Sequence, residues 1–354
     1  MNFRSDNEAP AAPEIMAALT RANQGSAHSY GADAITARLQ DRFSDLFETA
    51  VTVYPVVTGT AANALSLAEI APPFGAVFCH EQSHVHTDEC GAPEFYTGGA
   101  KLMPLPGTGG KITPRALETA LAGMGYHGDH EPAPVALSFT QATEAGTVYS
   151  LDEQRALCAA AKNHDLAVHM DGARIANAIA RLGCSPAEIT WRAGVDILSF
   201  GATKNGAMAA EAVVDFRPED ARAAHRSLAR RRMRGGHLLS KMRFLSAQLE
   251  AYVTDDLWLR LAATANAGAA RLAAGLNACA GIELLHPVEA NELFIRVAKP
   301  IIAALRAAGF EFHLWSVDGA EVARLVVPYA VVDDDITKLI ACARAGATGA
   351  NGIE

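Results

Sequence analysis

The chain has 354 residues, a length that suits two domains better than one. Half of the residues are apolar and 19% are charged, so the sequence can bury a large core and disorder is not expected. The formal net charge of −9 argues against nucleic acid as the main partner, because phosphate binding needs a basic surface.

Between about residue 50 and residue 215, short apolar runs alternate with helical patterns. Strand–helix alternation of this kind predicts an α/β fold with a mostly parallel sheet covered by helices on both faces. Strands are predicted at 51–57, 135–139, 167–170, 197–200 and 212–216, and helices at 61–71, at 150–163 behind a capping box, and from residue 185 onward.

The pattern changes after residue 217 and indicates a smaller α+β domain. We expect a large domain over 1–250, with an N-terminal arm, and a small domain over 251–354. The predicted elements are helices at 218–232, 237–253 and 257–279, an antiparallel strand pair at 282–285 and 292–297, a helix at 300–308, strands at 310–315 and 322–327, a helix at 333–345 and a frayed tail at 346–354.

Six cysteines are scattered along the chain, and no pair has CxxC spacing. The N-terminus shows neither a signal peptide nor an apolar run of membrane length. Reduced thiols in a cytoplasm are the simplest interpretation. We therefore expect a cytoplasmic protein that has no contact with a membrane.

Lys204 lies just after a buried strand, and Gly201 and Gly206 bracket it. A lysine in this position either extends into solvent or forms an imine with an aldehyde cofactor, usually pyridoxal 5′-phosphate. Taken alone, Lys204 favours the solvent interpretation, because most lysines are surface residues.

A second segment, 33 positions earlier, changes the balance. Asp171 comes directly after a buried strand, where a carboxylate can hydrogen-bond a protonated pyridine nitrogen. Arg174 can offer a bidentate fork to a carboxylate. Singly, Asp171 is explained as a helix cap and Arg174 as a structural salt bridge. The combination with Lys204 is much rarer and favours a cofactor site.

Two further segments give weaker signals. Gly59 and Thr60 lie at a strand–turn–helix junction, where free backbone N–H groups suit a phosphate. Ser5 could help to hold a substrate carboxylate if the N-terminal arm folds over the site. Sequence physics alone would make that arm a frayed end.

The histidine-rich segment from His80 to Glu89 supports two functional interpretations. His84, His86 and Asp88 match the start of a metallo-hydrolase signature, although Glu89 stands where that signature has its next histidine. Alternatively, one imidazole lies flat over a pyridine ring and moves protons. His80 is expected to be an ordinary, partly exposed residue.

Together these segments resemble the low-specificity L-threonine aldolases, which are pyridoxal-phosphate enzymes of the aspartate-aminotransferase fold type. The resemblance covers nearly the whole chain and includes the Schiff-base lysine of the family at Lys204. The other matching segments are Arg4-Ser5-Asp6, Tyr30-Gly31-Ala32-Asp33, Thr58-Gly59-Thr60-x-x-Asn63, Ser83-His84, His169-Met170-Asp171-Gly172-Ala173-Arg174 and Ala323-Arg324-Leu325-Val326.

The resemblance implies a mostly parallel seven-stranded sheet in the large domain, a small C-terminal α+β domain and cleavage of L-β-hydroxy-α-amino acids to glycine and an aldehyde. The implied substrates are threonine and allo-threonine, with phenylserine as a further candidate. The implied residues are Lys204, His84 and Asp171 for catalysis; Gly59, Thr60, His84, Asp171, Arg174, Thr203, Lys204 and Lys241 for the cofactor; and Ser5, Tyr30, Glu144, Arg174 and Arg324 for the substrate.

The chain departs from the family at two positions. Many members have a histidine that holds the substrate β-hydroxyl where this chain has Glu144. Members also have an arginine that reaches the phosphate of a neighbouring subunit, and Lys241 is the residue assigned to that role here. The family forms tetramers with sites at a dimer interface, so Tyr30 and Lys241 are expected to reach a neighbour's site. The residues around Lys204 resemble a bacterial subgroup that includes phenylserine aldolases.

Three other functions stay open from the sequence. One is a different pyridoxal-phosphate lyase of the same fold, acting by β-elimination or on β-hydroxyaspartate. Another is a metallo-hydrolase that uses His84, His86 and Asp88. The last is a non-catalytic binding protein, which the presence of Lys204 and Asp171 argues against.

Overall fold

The computed structural model describes residues 1–218, 227–317 and 319–350. Its larger sheet has seven strands in the order β1-β7-β6-β5-β4-β2-β3. Neighbours from β3 to β6 pair in parallel, whereas β7 is antiparallel to both β6 and β1, so the mostly parallel seven-stranded sheet is confirmed. The strands are β1 (Thr52–Val56), β2 (Gly75–His80), β3 (Lys101–Leu105), β4 (Ala133–Thr140), β5 (Ala167–Gly172), β6 (Ile197–Gly201) and β7 (Glu211–Asp215).

Both faces of this sheet are covered, because adjacent side chains of one strand are buried in different apolar clusters. Along β6, Leu198 and Phe200 pack with one cluster, while Ile197 packs with another. Strands that are buried on both faces have near-continuous apolar sequences, and this is the signal that predicted them. The larger cluster centres on Phe200, whose ring is 5.1 Å from that of Phe43 and 5.4 Å from that of Trp258.

Helices connect and flank the strands of the large sheet. Thr58 caps the helix after β1, and Ser150 and Glu153 form the predicted capping box. The helices of this part are α1 (Pro13–Ala22), α2 (Ala34–Phe47), α3 (Gly59–Ile70), α4 (His84–Thr87), α5 (Ala92–Thr97), α6 (Pro114–Ala122), α7 (Leu151–Lys162), α8 (Ile175–Leu182), α9 (Ser227–Arg234) and α10 (Arg243–Val253).

A second, antiparallel sheet in the order β10-β11-β9-β8 forms the C-terminal part. The long helix before it packs at its start with the large-sheet core, through Trp258, and further along with the small-sheet core, through Leu272. The division at residue 250 stays a prediction. The elements are α11 (Leu257–Asn277), β8 (Ile282–Leu284), β9 (Glu292–Val297), α12 (Lys299–Ala307), β10 (His313–Val317), β11 (Ala320–Val326) and α13 (Asp333–Ala350).

The N-terminus is ordered, contrary to what sequence physics alone suggested. Phe3 is 1% exposed and belongs to the small-sheet core. Its N–H donates to Glu311 O at 2.8 Å, and its carbonyl accepts from Val326 N at 2.8 Å. The buried ring and the two backbone hydrogen bonds together outweigh the tendency of a chain end to fray.

Several predicted elements differ from the structure. The helix expected from residue 185 is only a turn, because Ile189 O accepts from the Gln154 side chain instead of from a helical N–H. The helix expected at 237–253 begins at Arg243, after Gly236 with φ +78°. For the helix expected at 218–232, residues 219–226 lie outside the described residues.

The predicted frayed tail is helical as far as Ala350, whereas residues 351–354 lie outside the described part. The helix is held because Gly346 lies so close to α12 that an added Cβ would be 2.9 Å from Ile301 Cα. Within the described ranges, no helix combines the length and apolar character needed to cross a bilayer.

Candidate active site

A cavity of about 270 Å³ opens where the carboxyl ends of β4, β5 and β6 meet the start of α3. Sites of open α/β sheets form at this edge. A larger depression of about 560 Å³ lies elsewhere, between α1, α2 and α10, and its charged residues are surface arginines and acids. The smaller cavity is lined by Asn7, Val57, Thr58, Gly59, Thr60, Asn63, His84, Glu89, Thr140, Ala142, Glu144, Asp171, Ala173, Arg174, Thr203, Lys204 and Glu211.

Lys204 enters the cavity from a 3₁₀ turn directly after β6. The next residue anchors that turn, since the side chain of Asn205 donates to Tyr252 Oη at 2.7 Å and to Trp258 O at 2.8 Å. Gly206 follows with φ +106°, a conformation that favours glycine. The lysine is therefore held on a rigid turn at the sheet edge.

Asp171 is 3% exposed at the end of β5, the strand next to β6. Its Oδ2 accepts from Asn63 Nδ2 at 2.8 Å, and its Oδ1 accepts from Ala173 N at 3.0 Å. These hydrogen bonds fix the orientation of the buried carboxyl group. Such a carboxylate is suited to face a cationic nitrogen of a bound ring.

His84 pairs with a residue that the sequence analysis assigned no function. Its Nδ1 lies 2.8 Å from Glu89 Oε1, and this hydrogen bond raises the pKa of His84. Glu89 Oε1 also accepts from Asn63 Nδ2 at 2.8 Å, so hydrogen bonds run from His84 through Glu89 and Asn63 to Asp171. Burial raises the pKa of Glu89. In the sequence, Glu89 stands out only as the residue in place of a metal-binding histidine.

The start of α3 lines the same cavity with free backbone N–H groups of the kind that bind anions. Thr58 Oγ1 accepts from Ala61 N at 3.1 Å and caps the helix. The N–H groups of Gly59 and Thr60 precede the first intrahelical hydrogen bond, and open space surrounds the position that a Cβ of Gly59 would take. An amine, a buried carboxylate and an anion-binding helix start line one cavity, and this donor set fits pyridoxal phosphate.

Arg174 lies at the cavity between two buried acids. Its Nε and Nη2 donate to Asp6 at 2.8 and 3.0 Å, and its Nη1 lies 3.0 Å from Glu292 Oε2. Burial opposes the ionisation of Asp6, but the charges of Arg174 and Lys204 outweigh it and lower the pKa of Asp6. The N-terminal arm is therefore tied to the site by an ion pair.

Four residues predicted for the site lie outside this lining. Ser5 borders a separate depression with Glu8, and its Oγ accepts from Asn7 N. Arg324 Nη2 lies 3.4 Å from Arg4 O, behind the arm. The remaining two, Tyr30 and Lys241, are surface neighbours.

Tyr30 and Lys241 come together because Tyr30 N donates to Ser240 O at 3.0 Å. Tyr30 is 56% exposed and has φ 55°, so its side chain is presented to solvent from a left-handed backbone conformation. The two residues thus form one exposed patch outside the cavity of their own chain.

The metal signature is not assembled in the part of the chain that the structure describes. Within the described ranges, no three His, Cys, Asp or Glu side chains are grouped as a metal site requires. Both His86 and Asp88 are exposed. His80, expected to be partly exposed, is 2% exposed because its two ring nitrogens bond Gly107 O and Gln82 N within the core.

Comparisons with known proteins agree with the resemblance. The beta-eliminating lyase family matches residues 2–300. The low specificity L-threonine aldolase of Pseudomonas aeruginosa is 44% identical over 347 residues, covering 97% of this chain and 96% of that protein. The low specificity L-threonine aldolase of Pseudomonas sp. strain NCIMB 10558 is 43% identical, and 97% of each chain is covered.

Solved structures show the same fold. A threonine aldolase of Leishmania major superposes with a TM-score of 0.90 at 29% identity, covering 97% of this chain and 98% of that one. The serine palmitoyltransferase of Sphingomonas wittichii superposes with a TM-score of 0.72 at 15% identity, covering 100% and 88%. The second match shows a shared fold alone.

The Glu89 carboxylate is expected to control the protonation of His84. In Glu89→Gln, the pKa of His84 should fall by on the order of 1 pH unit, because a charged acceptor becomes a neutral one. NMR titration of protein carrying ¹³C-labelled histidine measures this, with the resonance assigned by its loss in His84→Asn. The half-buried His286, in the loop between β8 and β9, is the internal control and should titrate unchanged. A His84 pKa that stays the same in Glu89→Gln would contradict the assignment.

Proposed function

This chain belongs to the beta-eliminating lyase family, and on that premise we propose that it is a pyridoxal-phosphate-dependent L-threonine aldolase. It cleaves L-β-hydroxy-α-amino acids to glycine and an aldehyde. The observation that carries the proposal is the placing of Lys204, Asp171 and the open start of α3 around one cavity. The Pseudomonas relatives, similar over nearly their full length, bear the name of this activity.

The cofactor is held by groups of four elements. Lys204 would supply the amine that holds the aldehyde group, and Asp171 would face the ring nitrogen and favour its protonated form. His84 would contact the ring, and Gly59 and Thr60 would bind the phosphate, with Thr203, Arg174 and Lys241 in supporting contacts. When bound, pyridoxal phosphate supplies a conjugated cationic ring that accepts the electron pair of a bond broken at Cα.

The substrate carboxylate is bound by Arg174, assisted by Arg324 and Ser5. Arg174 is suited to this role because it lines the cavity and its side chain is only 13% exposed. Binding of this kind would fix rotation about the N–Cα bond and so hold the Cα–Cβ bond in one orientation for cleavage. Orientation can supply a large part of the rate. Proton transfer from the β-hydroxyl takes place on the His84 side of the cavity.

Substrates whose aldehyde half is small and substrates whose aldehyde half is aromatic are both accepted. The acidic Glu144 lines the cavity beside His84. The backbone N–H of His84 donates a hydrogen bond to the Glu144 carboxyl group, and this bond fixes the two residues relative to each other. We therefore assign Glu144 to the β-hydroxyl, and threonine, allo-threonine and phenylserine are all accepted.

The active unit is a homotetramer whose sites lie at a dimer interface. Tyr30 and Lys241, exposed side by side, contribute to the site of a neighbouring subunit, with Lys241 at the phosphate and Tyr30 at the substrate. The six cysteines are all free, which supports a reducing cytoplasmic location.

Removing the Lys204 amine tests the proposal directly. Lys204→Ala should lose glycine formation from L-threonine by at least about 10⁴-fold, together with the visible absorbance of covalently bound cofactor. Coupled aldehyde assays and absorbance spectra measure the two effects. Lys338→Ala, which removes an exposed lysine of α13, is the matched control and should keep both. Full turnover in Lys204→Ala would refute the assignment.

Substrate range is tested with the separate diastereomers of threonine and of phenylserine. We expect glycine release from both threonine diastereomers and from phenylserine, since a carboxyl group at the β-hydroxyl can pair with either configuration. Glycine is quantified after complete separation from substrate. Ammonia and a keto acid in place of glycine would instead indicate a β-eliminating lyase.

The shared site predicts complementation between inactive subunits. Lys204→Ala and Lys241→Ala proteins, each with low activity, should regain activity when they are unfolded, mixed and refolded together. A mixed dimer then contains one site with both lysines, because an isologous dimer exchanges equivalent residues. Mixing Lys204→Ala with Lys338→Ala controls for refolding. If Lys241→Ala alone has parental activity and phosphate affinity, Lys241 has no such role.

A further inference from the structure

Among the described residues, one carboxyl oxygen of Glu144 has hydrogen-bond partners and the other has none. It follows β4, and its Oε1 accepts from His84 N at 2.8 Å and from Thr140 Oγ1 at 2.7 Å. Its Oε2 is buried and has no hydrogen-bond partner among the described residues. The residue itself lines the cavity, next to His84.

A buried carboxyl oxygen without a partner costs free energy until a ligand supplies one. The ligand group must donate a hydrogen bond to the carboxylate. A hydroxyl can do so, and it can also pass its proton to the carboxylate oxygen with which it is hydrogen-bonded. The unpaired oxygen of Glu144 is therefore suited to accept a hydrogen bond from the hydroxyl of a substrate.

The environment of Glu144 keeps its carboxyl group close to the point of proton exchange at neutral pH. Burial, assisted by the charge of Asp171 on the next strand, raises its pKa to about 7, although the hydrogen bonds from Thr140 and His84 offset part of the rise. The titratable and charged groups that act on Glu144 or feel its charge are Asp171, Arg174, Cys79 and Tyr149.

His84 is less suited to accept a proton. Its Nδ1 is already bonded to Glu89, and this hydrogen bond raises the pKa of the imidazole, which favours the protonated ring. Glu89 and Glu211 are further buried acids of raised pKa in the cavity. Glu89 also has an unpaired Oε2, but its Oε1 is held by the His84 ring and by Asn63, within the chain of hydrogen bonds that runs to Asp171. Glu211 Oε2 accepts from Ala202 N at 2.9 Å, beside Lys204. Glu144 combines an unpaired oxygen with a position outside that chain, next to His84.

We propose that Glu144 is the catalytic base for carbon–carbon cleavage, with its Oε2 bound to the substrate β-hydroxyl. This inference rests on the proposed aldolase function and names the group that takes the proton. The O–H bond breaks and its proton moves to Oε2, while the oxygen electrons form the C=O bond of the aldehyde. The Cα–Cβ bond breaks, and its electron pair stays with Cα until that carbon takes up a proton to become glycine.

His84 and Thr140 act as positioning residues for this base. The Thr140 hydroxyl donates to Oε1 and stabilises the ionised form, so its removal raises the pKa of Glu144. The base must be ionised to work, and cleavage is therefore present above that pKa and lost as the pH falls through it. An acid limb near neutrality follows for kcat/KM.

Glu144→Gln separates the proposed step from the rest of the chemistry. Cleavage of L-threonine should fall by about 10²–10⁴-fold, the contribution typical of a general base. Exchange of the glycine α-proton in D₂O, followed by NMR, should stay within a few-fold of the parent, because glycine has no β-hydroxyl. The visible absorbance of the bound cofactor should also persist. Glu283→Gln, on the surface of β8, is the matched control and should change neither reaction.

The outcomes separate failure of the base assignment from failure of the aldolase proposal. Cleavage within about threefold of the parent in Glu144→Gln would overturn the base assignment. Loss of glycine exchange together with cleavage, at unchanged cofactor absorbance, would also overturn it, since Glu144 would then serve a step common to both. A parent protein that exchanges glycine protons but cleaves no β-hydroxy-α-amino acid would instead refute the aldolase proposal.

If Glu144→Gln does not fold, the variant Thr140→Val tests the role of Glu144 instead. This variant retains the carboxyl group and should move the acid limb of kcat/KM to higher pH without moving the pH dependence of glycine exchange. An acid limb at the parental position would contradict the role of Glu144.

Discussion

The pairing of β5 with β6 is the constraint on which the site depends. It sets Asp171 opposite Ser199, so the two strand ends that carry the carboxylate and the lysine turn lie side by side. The approach is close: a Cβ on Gly201 would lie 2.5 Å from Ala173 O. Only glycine fits there, and the 32 residues between Asp171 and Lys204 form a crossover that packs α8 on the sheet.

The residues that could be predicted are those with strong local patterns. Lys204 and Asp171 each follow a continuous apolar run, and a strand buried on both faces is easily recognised by such a run. The helix expected from residue 185 shows the limit of local signals. Ser185 and Glu188 do exchange capping hydrogen bonds, yet the chain makes only a turn, since Ile189 O accepts from the Gln154 side chain of α7.

The partners of these residues could not be predicted, because they come from distant parts of the chain. Asp6 and Glu292 meet at Arg174 only when the arm and the small sheet are both in place. Glu89 has no local feature that separates it from a surface acid, and its role depends on Asn63, 26 residues earlier. β2 and β3 were not predicted, although the histidine-rich segment begins at His80, the last residue of β2.

The first eight residues have a practical consequence for anyone who handles this protein. They place an aromatic ring in one core through Phe3 and supply the counter-ion of Arg174 through Asp6, while the Met1 amino group bonds Gly309 O. The amino end is thus the wrong place for a purification handle or a covalent link to a support. A protein or support attached there would disturb the residues around the proposed substrate-carboxylate site. Attachment beyond α13 avoids this disturbance.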